Sequence, residues 1–113
     1  HMKKKYIVKK NYYIQKIIAD KKSYVSKHFI LYKKENNLDY FRFVISVGKK
    51  IGKAVTRNKI KRQIKAIIYQ KKREIIKNYD ILIIVRFPVI NLKYLDIEKY
   101  INEILLKANL IKE

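Results

Sequence analysis

Residues 48–65 read GKKIGKAVTRNKIKRQIK and contain the only two glycines of the 113-residue chain. Gly48 and Gly52 bracket a short basic loop, which predicts backbone angles that other residues avoid. From Lys53 or Ala54 onward the pattern is helical, because isoleucines recur at the offsets of one buried face. They are Ile60, Ile64, Ile67, Ile68 and Ile75. The stretch therefore predicts a loop followed by an amphipathic helix.

The segments before this loop alternate between helical and extended patterns. They predict a short helix at Asn11–Asp20, extended chain at Ser23–Lys34 that can form two short strands, and a strand at Tyr40–Val47. A turn at residues 35–39 joins the last two and predicts a β-hairpin. Strict alternation places Val25 with Phe29 and Leu31 on one face of the extended chain.

The segments after the helix predict one more strand and one more helix. Asp80–Phe87 is almost continuously aliphatic, as in a strand that is covered on both sides or central in a sheet, and Pro88 ends it. Helical spacing returns over Asn91–Leu110. The resulting order, αβββαβα in a chain of one-domain length, predicts an α+β single-domain two-layer sandwich.

The charge of the chain is large and unevenly distributed. Lys and Arg number 29 against 9 Asp and Glu, for a formal net charge of +20. Residues 1–28 carry 9 bases and 1 acid, residues 49–77 carry 12 bases and 1 acid, and residues 78–113 carry 5 of each. Charge that served only solubility would not stop at residue 77, so we expect one strongly positive face that binds a polyanion.

The chain offers few side chains for catalysis. It has no cysteine, and His28 is its only histidine apart from His1, which with Met2 is interpreted as a cloning remnant. A pair of histidines that cleaves RNA is therefore excluded, and a structural role for His28 is favoured. Four acids, Asp80, Asp96, Glu98 and Glu103, could bind a metal, but their spacing matches no metal-binding loop.

The loop and the helix start favour nucleic acid as the polyanion. Backbone N–H groups of the loop and of the first helical turn can face a phosphate. Arg57, Lys61 and Lys65 follow at intervals of four, with Asn58 and Arg62 in a parallel row, and no acid interrupts them before residue 74. An anionic membrane surface is a more distant alternative, because the apolar stripe of this helix is needed by the core.

The stretch also resembles the signature of the bacterial ribonuclease P protein component family. The family motif, an Arg-Asn-Arg core followed by Ile-Lys-Arg, is read here as residues 57–62, RNKIKR. The similarity extends to residues 9–11, 29–32 and 45–47 and to Arg86 and Pro88. The chain departs from the family where Lys59 replaces an Arg, which loses bidentate geometry, where Lys53 replaces an Asn, and where Ile14 and Ile18 replace Phe.

The resemblance implies a fold and an activity. The fold is a ribosomal protein S5 domain 2-like sandwich with a left-handed βαβ crossover, formed by residues 3–113 as one RNA-binding domain. The activity is that of a cytoplasmic ribonucleoprotein endoribonuclease, ribonuclease P, which removes the 5′ leader of precursor tRNA. The implied partners are the ribonuclease P RNA, in a 1:1 complex with a monomer, and precursor tRNA. Mg²⁺ is expected at the RNA subunit, with none bound by protein side chains and no catalytic residue on this chain.

The resemblance also implies two sites. The residues expected to bind the RNA subunit are Lys49, Lys50, Lys53, Arg57, Asn58, Lys59, Lys61, Arg62 and Lys65. Those expected to form a cleft for the precursor tRNA leader are Lys9, Lys10, Ile14, Ile18, Ser26, Lys27, Tyr32 and Arg86. Ile14 and Ile18 can equally pack the core, and Tyr12 and Tyr13 can supply the aromatic contacts that isoleucine cannot make. A ribosomal or other structural RNA-binding protein is the alternative function.

Overall fold

The helices and strands follow the order predicted from the sequence. The computed structural model describes residues 6–7, 11–19 and 22–112. Its elements are α1 (Asn11–Ala19), β1 (Ser23–Val25), β2 (Phe29–Glu35), β3 (Arg42–Ser46), α2 (Ala54–Gln70), β4 (Tyr79–Val85) and α3 (Tyr94–Lys107). Two 3₁₀ turns connect them, a basic turn at Lys49–Ile51 and a strand-end turn at Phe87–Asn91. The predicted α+β order is confirmed.

The four strands form one sheet in the order β1-β2-β4-β3. Strand β4 pairs antiparallel with β2 and parallel with β3, so α2 is the crossover between two adjacent parallel strands. A connection of this length is what a parallel pair requires. The left-handed path of this crossover stays a prediction from the resemblance.

The predicted hairpin between the second and third strands is wrong. Strand β4 lies between them, and the turn after β2 is bonded to the start of β4, since Asn36 N–H donates to the carbonyl of Asn78 at 2.8 Å. Strand β4 is nearly all aliphatic and is buried along most of its length. A strand of this composition gains most from a central position, which the hairpin would have denied it.

The two faces of the sheet pack against different helices. Phe29, Leu31, Ile81 and Ile83 belong to the main hydrophobic core, which the buried faces of α2 and α3 complete. Leu82 on the opposite face is also buried but lies outside this core, as does Ile17 of α1. Because α1 contacts β2 and β4, we assign it to this second face.

The predicted grouping of Val25 with Phe29 and Leu31 is wrong. In the β1–β2 hairpin Val25 pairs with Ile30 and Tyr24 pairs with Leu31, and paired residues share a face. The three-residue turn between the strands shifts the alternation by one position. Val25 therefore lies on the α1 side of the sheet and is 46% exposed.

Helix α3 is shorter than the segment in which apolar residues recur at helical spacing. Residues 91–110 were predicted as helical, but α3 begins at Tyr94 and ends at Lys107. The backbone of Asn109 has a φ of 57°, the left-handed conformation that ends helices. Ala108 and Leu110 are still buried, because the chain folds back onto the core beyond the helix end.

A buried ion pair joins β3 to β4 on the α1 side of the sheet. The Asp80 carboxylate is fully buried and accepts bonds from Nε and Nη2 of Arg42, at 2.9 and 2.8 Å. Asn36 Nδ2 donates to the same carboxylate at 2.8 Å. Asp80 thus stabilises the junction of three segments, and metal binding is not needed to explain it.

Replacing Asp80 with alanine would leave the Arg42 guanidinium with no anion at this position. We expect Asp80→Ala to lower the free energy of unfolding by about 3 kcal/mol, the lower end for a broken buried pair, because the Arg42 side chain is 28% exposed. Urea denaturation measures this loss. Asp39→Ala, in the exposed turn nearby, should change stability by less than about 0.5 kcal/mol. Equal effects of the two variants would contradict the assigned role.

Candidate nucleic-acid interface

The two glycines beside the basic turn have different conformations. Gly52 has φ 155° and ψ −167°, a region that only glycine adopts without strain, and a Cβ there would lie 3.4 Å from Thr56. Gly48 has φ −71° and ψ 162°, and a Cβ there would meet no atom within 4 Å. The prediction of special backbone angles is therefore confirmed at Gly52 and wrong at Gly48.

The basic turn is fixed to the protein by one buried side chain. Ile51 is buried, and its N–H donates to the carbonyl of Gly48 at 3.0 Å. The side chains of Lys49 and Lys50 are exposed, as is that of Lys53 immediately before α2. Packing of Ile51 in the hydrophobic core thus fixes where the turn places its exposed lysine side chains.

Arg57 connects the loop to the helix. Its Nε donates to the carbonyl of Gly52 at 3.1 Å, and the side chain is half-buried. Arg57 was predicted to form one row of donors with Lys61 and Lys65, but this contact turns one of its N–H groups towards the loop. We infer that Arg57 positions the loop as well as contributing charge.

One side of α2 brings four of the predicted residues together. Asn58, Lys61, Arg62 and Lys65 border the same depression on the helix surface. Within the described residues no acid lies within salt-bridge distance of a base on α2. The first turn of α2 contains no acidic residue and no side-chain cap. Four polar or basic groups and free backbone donors are therefore available to a phosphate backbone.

Lys59 was predicted to belong to the same site, but it lies on another side of α2. It lines a separate pocket with Ile60, the strand-end turn and the start of α3. Residues 57–62 therefore supply groups to three places, namely the loop, the outer face of the helix and this pocket.

The residues predicted for the leader cleft are only partly brought together. Arg86 Nη1 donates to the carbonyl of Ser26 at 2.7 Å, so these two residues adjoin at the end of β4. Ser26 Oγ is occupied within the turn, where it accepts from the N–H of Phe29 at 3.1 Å. Lys27 is exposed in the same turn.

The apolar part of the predicted cleft lies between α1 and the sheet. Ile17 makes the buried contact, while Ile14 and Ile18 are half-buried beside it. Tyr32 is half-buried and pairs with Leu82, which places it on this side of the sheet. Lys9, Lys10 and the side chains of Tyr12 and Tyr13 lie outside the described residues.

His28 is packed against other side chains of the fold. It is buried in the β1–β2 turn, and its ring stacks on Tyr100 of α3 with the centroids 4.3 Å apart. Burial lowers the pKa of His28 below 6.5, and the charge of Lys27 lowers it further, while Glu103 and Asp96 oppose the shift. No local pattern in the sequence could have shown a contact between residues so far apart.

Several lysines serve the fold rather than an open surface. Lys33 Nζ donates to the carbonyl of Ala108 at 2.6 Å, Lys107 Nζ to that of Val25 at 2.7 Å, and Lys71 Nζ to Asn102 Oδ1 at 2.9 Å. These contacts attach the last turn of α3 to β1 and β2, and the end of α2 to α3. The charge count of the sequence could not separate them from lysines available to a ligand.

The fold and the outer face of α2 define a class of protein, a one-sheet α+β domain whose crossover helix carries bases that no described acid neutralises. Comparison with known proteins identifies the family. The family model described as ribonuclease P matches residues 2–109. The chain belongs to the bacterial ribonuclease P protein component family, as the motif at residues 57–62 predicted.

Individual relatives show how far the similarity extends. The ribonuclease P protein component of Mycoplasma mycoides subsp. mycoides is 48% identical over 99 residues, 87% of this chain and 91% of that protein. The one from Mycoplasma capricolum subsp. capricolum is 46% identical over 113 residues, 99% and 98% of the two chains. The structure of the Staphylococcus aureus RNase P protein, 36% identical, covers 95% of this chain and 98% of its own, with a TM-score of 0.90.

The conformation of Gly52 yields a paired test. Gly52→Ala should lower the free energy of unfolding by about 1–3 kcal/mol, because alanine is strained at this φ. Gly48→Ala should change it by less than about 0.5 kcal/mol, since alanine fits that backbone. Denaturant titration of both variants measures the difference. A Gly48→Ala loss as large as that of Gly52→Ala would refute the loop geometry.

The lowered pKa of His28 predicts a pH-dependent stability. The unfolded chain binds a proton at this residue more readily, so its contribution is complete above pH 6.5 and declines as the pH falls towards the folded pKa. His28→Phe keeps a ring against Tyr100 and cannot titrate. Between about pH 7.5 and about pH 5.5, the wild type should lose more stability than this variant. Parallel losses in urea denaturation would contradict the assignment.

Proposed function

We propose that this protein subunit of ribonuclease P binds the RNA subunit through the outer face of α2 and the basic turn, and holds the 5′ leader of precursor tRNA between α1 and the sheet. The observation that carries the proposal is the row of bases on α2 that no described acid neutralises, at the position of the family motif. The two surfaces belong to opposite layers of the fold, so one subunit can contact both RNAs.

Binding of the RNA subunit would depend mainly on phosphate contacts. Lys61, Arg62 and Lys65 can each neutralise a phosphate, and every such contact releases counterions. The N–H groups of the first turn of α2 add donors and the positive end of the helix dipole. The Arg57–Gly52 contact holds the basic turn beside this helix end before RNA arrives. The energetic cost of ordering the loop is then met during folding rather than during binding.

Leader binding would combine apolar contact with charge. Tyr32 offers an aromatic ring on the α1 side of the sheet, and stacking on such a ring contributes about 1–3 kcal/mol per base. Ile14 and Ile18 can cover the same strand by van der Waals contact but cannot stack. Arg86, held by the carbonyl of Ser26, and exposed Lys27 supply positive charge at one end of the cleft.

The hydrolytic step is assigned to the RNA subunit. His28 is packed against Tyr100, and Asp80 is occupied by Arg42 and Asn36, so neither is placed to transfer a proton to a substrate. Within the described residues no three potential metal ligands are grouped. We therefore propose that Mg²⁺ binds at the RNA subunit and that this chain positions the two RNAs.

The outer face of α2 can be tested by its effect on salt dependence. The double variant Lys61→Ala, Arg62→Ala should weaken binding to a bacterial ribonuclease P RNA and reduce the slope of log affinity against log salt by roughly 2. The matched control, Lys99→Ala with Lys112→Ala, removes the same charge from exposed positions elsewhere and should leave the slope nearly unchanged. Equal slopes for the two double variants would exclude a local phosphate-binding face.

The proposed activity is tested by reconstitution. The protein would be combined with a bacterial ribonuclease P RNA and precursor tRNA at low Mg²⁺, with the RNA alone and the protein alone as controls. We expect faster leader removal than with RNA alone and no cleavage by the protein alone. A rate equal to that of RNA alone would refute the proposal.

A further inference from the structure

A second pocket lies on the side of α2 that faces away from the basic row. It is enclosed by α2, the strand-end turn and the first turn of α3, and its volume is about 270 Å³. That is below the roughly 300–1,000 Å³ of pockets that enclose whole cofactors. The size suits one planar ring system rather than an extended small molecule.

The interior of this pocket combines an apolar floor with a polar wall. Ile60, Val89 and Ile97 are almost completely buried and form the floor. Tyr94 and Gln63, both half-buried, line the sides. An aromatic ring and an amide that can donate and accept hydrogen bonds are the groups that proteins use to hold an unstacked base.

The rim of the pocket is positively charged. Lys59 and Lys93 are both exposed and line it, and no described acid is among its lining residues. The nearest acidic group in sequence, Asp96, accepts a bond from the backbone N–H of Lys93 at 3.3 Å and does not line the pocket. A base in the pocket would therefore have cations for the phosphates on either side of it.

The position of the pocket connects it to the RNA-binding face. The basic turn contacts the strand-end turn that forms one wall, and Lys59 belongs to the same motif as Asn58 and Arg62. An RNA strand that crosses the basic turn would pass the pocket mouth. A protein partner is less suited to this position, because the only charged residues that line the pocket are two lysines.

We propose that this pocket binds one unstacked nucleobase of the RNA that the α2 face holds. The inference rests on the proposed function, since it requires RNA at the basic turn. Lys59 contacts a flanking phosphate as a point charge, for which the bidentate geometry of arginine is not required. The pocket thus adds a base contact to a surface that otherwise binds phosphates.

Blocking the pocket separates this proposal from general RNA binding. Gln63→Trp places a large ring at the pocket, whereas Asn37→Trp places the same ring in the exposed turn after β2 as the matched control. With a bacterial ribonuclease P RNA, Gln63→Trp should weaken affinity roughly tenfold, the scale of one lost stacking contact. The salt slope should change by no more than roughly 1, the contribution of the flanking phosphate at Lys59, because the phosphate contacts of Lys61 and Arg62 are kept. Thermal unfolding of the free proteins shows that both variants fold.

A second measurement observes the base directly in the wild-type complex. A base inserted beside Ile90 and Ile97 would shift their methyl resonances through its ring current, whatever the base is. The methyl resonances of Ile76, which is exposed and lies in the segment that precedes β4, serve as the internal control. Unshifted Ile90 and Ile97 resonances would overturn the proposal.

The remaining outcomes also decide between alternatives. Wild-type affinity in Gln63→Trp, with the Lys61 and Arg62 double variant still impaired, overturns the pocket proposal and leaves the proposed function standing. Failure of the wild-type protein to bind the RNA overturns both. If sedimentation shows a protein dimer that Gln63→Trp dissociates while RNA affinity is unchanged, the pocket binds a second copy of this chain and the proposal is wrong.

Discussion

The position of β4 between β2 and β3 is the constraint on which the other surfaces depend. The odd-numbered residues of β4 pack into the main core and its even-numbered residues face α1. The packing on both faces of the sheet therefore depends on this one strand. The parallel pairing with β3 requires a long crossover, and α2 with its basic turn is that crossover. A shift of one residue would move Asp80 into the apolar core and break its pairing with Arg42. Stability and the placement of α2, the proposed RNA-binding helix, therefore have the same origin.

The excess of positive charge has two separate uses. Lys33, Lys71 and Lys107 donate to specific oxygens and hold α3 against the rest of the molecule. The bases on the outer face of α2 have no acid near them among the described residues. Mutual repulsion among these bases is a cost to the folded protein that a bound polyanion would relieve. The charge count alone could indicate a polyanion but could not show which lysines meet it.

The sequence predicted the helices and strands better than their arrangement. Isoleucine spacing located α2, and the aliphatic run of β4 correctly indicated a central strand, because burial of these residues dominates the local energetics. The hairpin prediction was wrong because sequence proximity favoured β2 with β3, whereas β4 gains more by lying between them. The contacts of Asp80 with Arg42 and of His28 with Tyr100 join distant residues, which no local pattern records. At the candidate site the motif lies on a helix as predicted, but the separate orientations of Arg57 and Lys59 depend on the loop and on α3.

In the proposed complex two RNAs contact opposite layers of the protein, and directed cleavage tests this arrangement most directly. The chain contains no cysteine, so a single introduced cysteine can carry an iron-EDTA probe without further changes. Ala66→Cys places the probe on the outer face of α2, and Val25→Cys places it on the α1 side of the sheet. In the complex with precursor tRNA, the probe at residue 66 should cut the ribonuclease P RNA, and the probe at residue 25 should cut the leader. Cleavage of the leader from residue 66, or of the same RNA segment from both positions, would contradict the account.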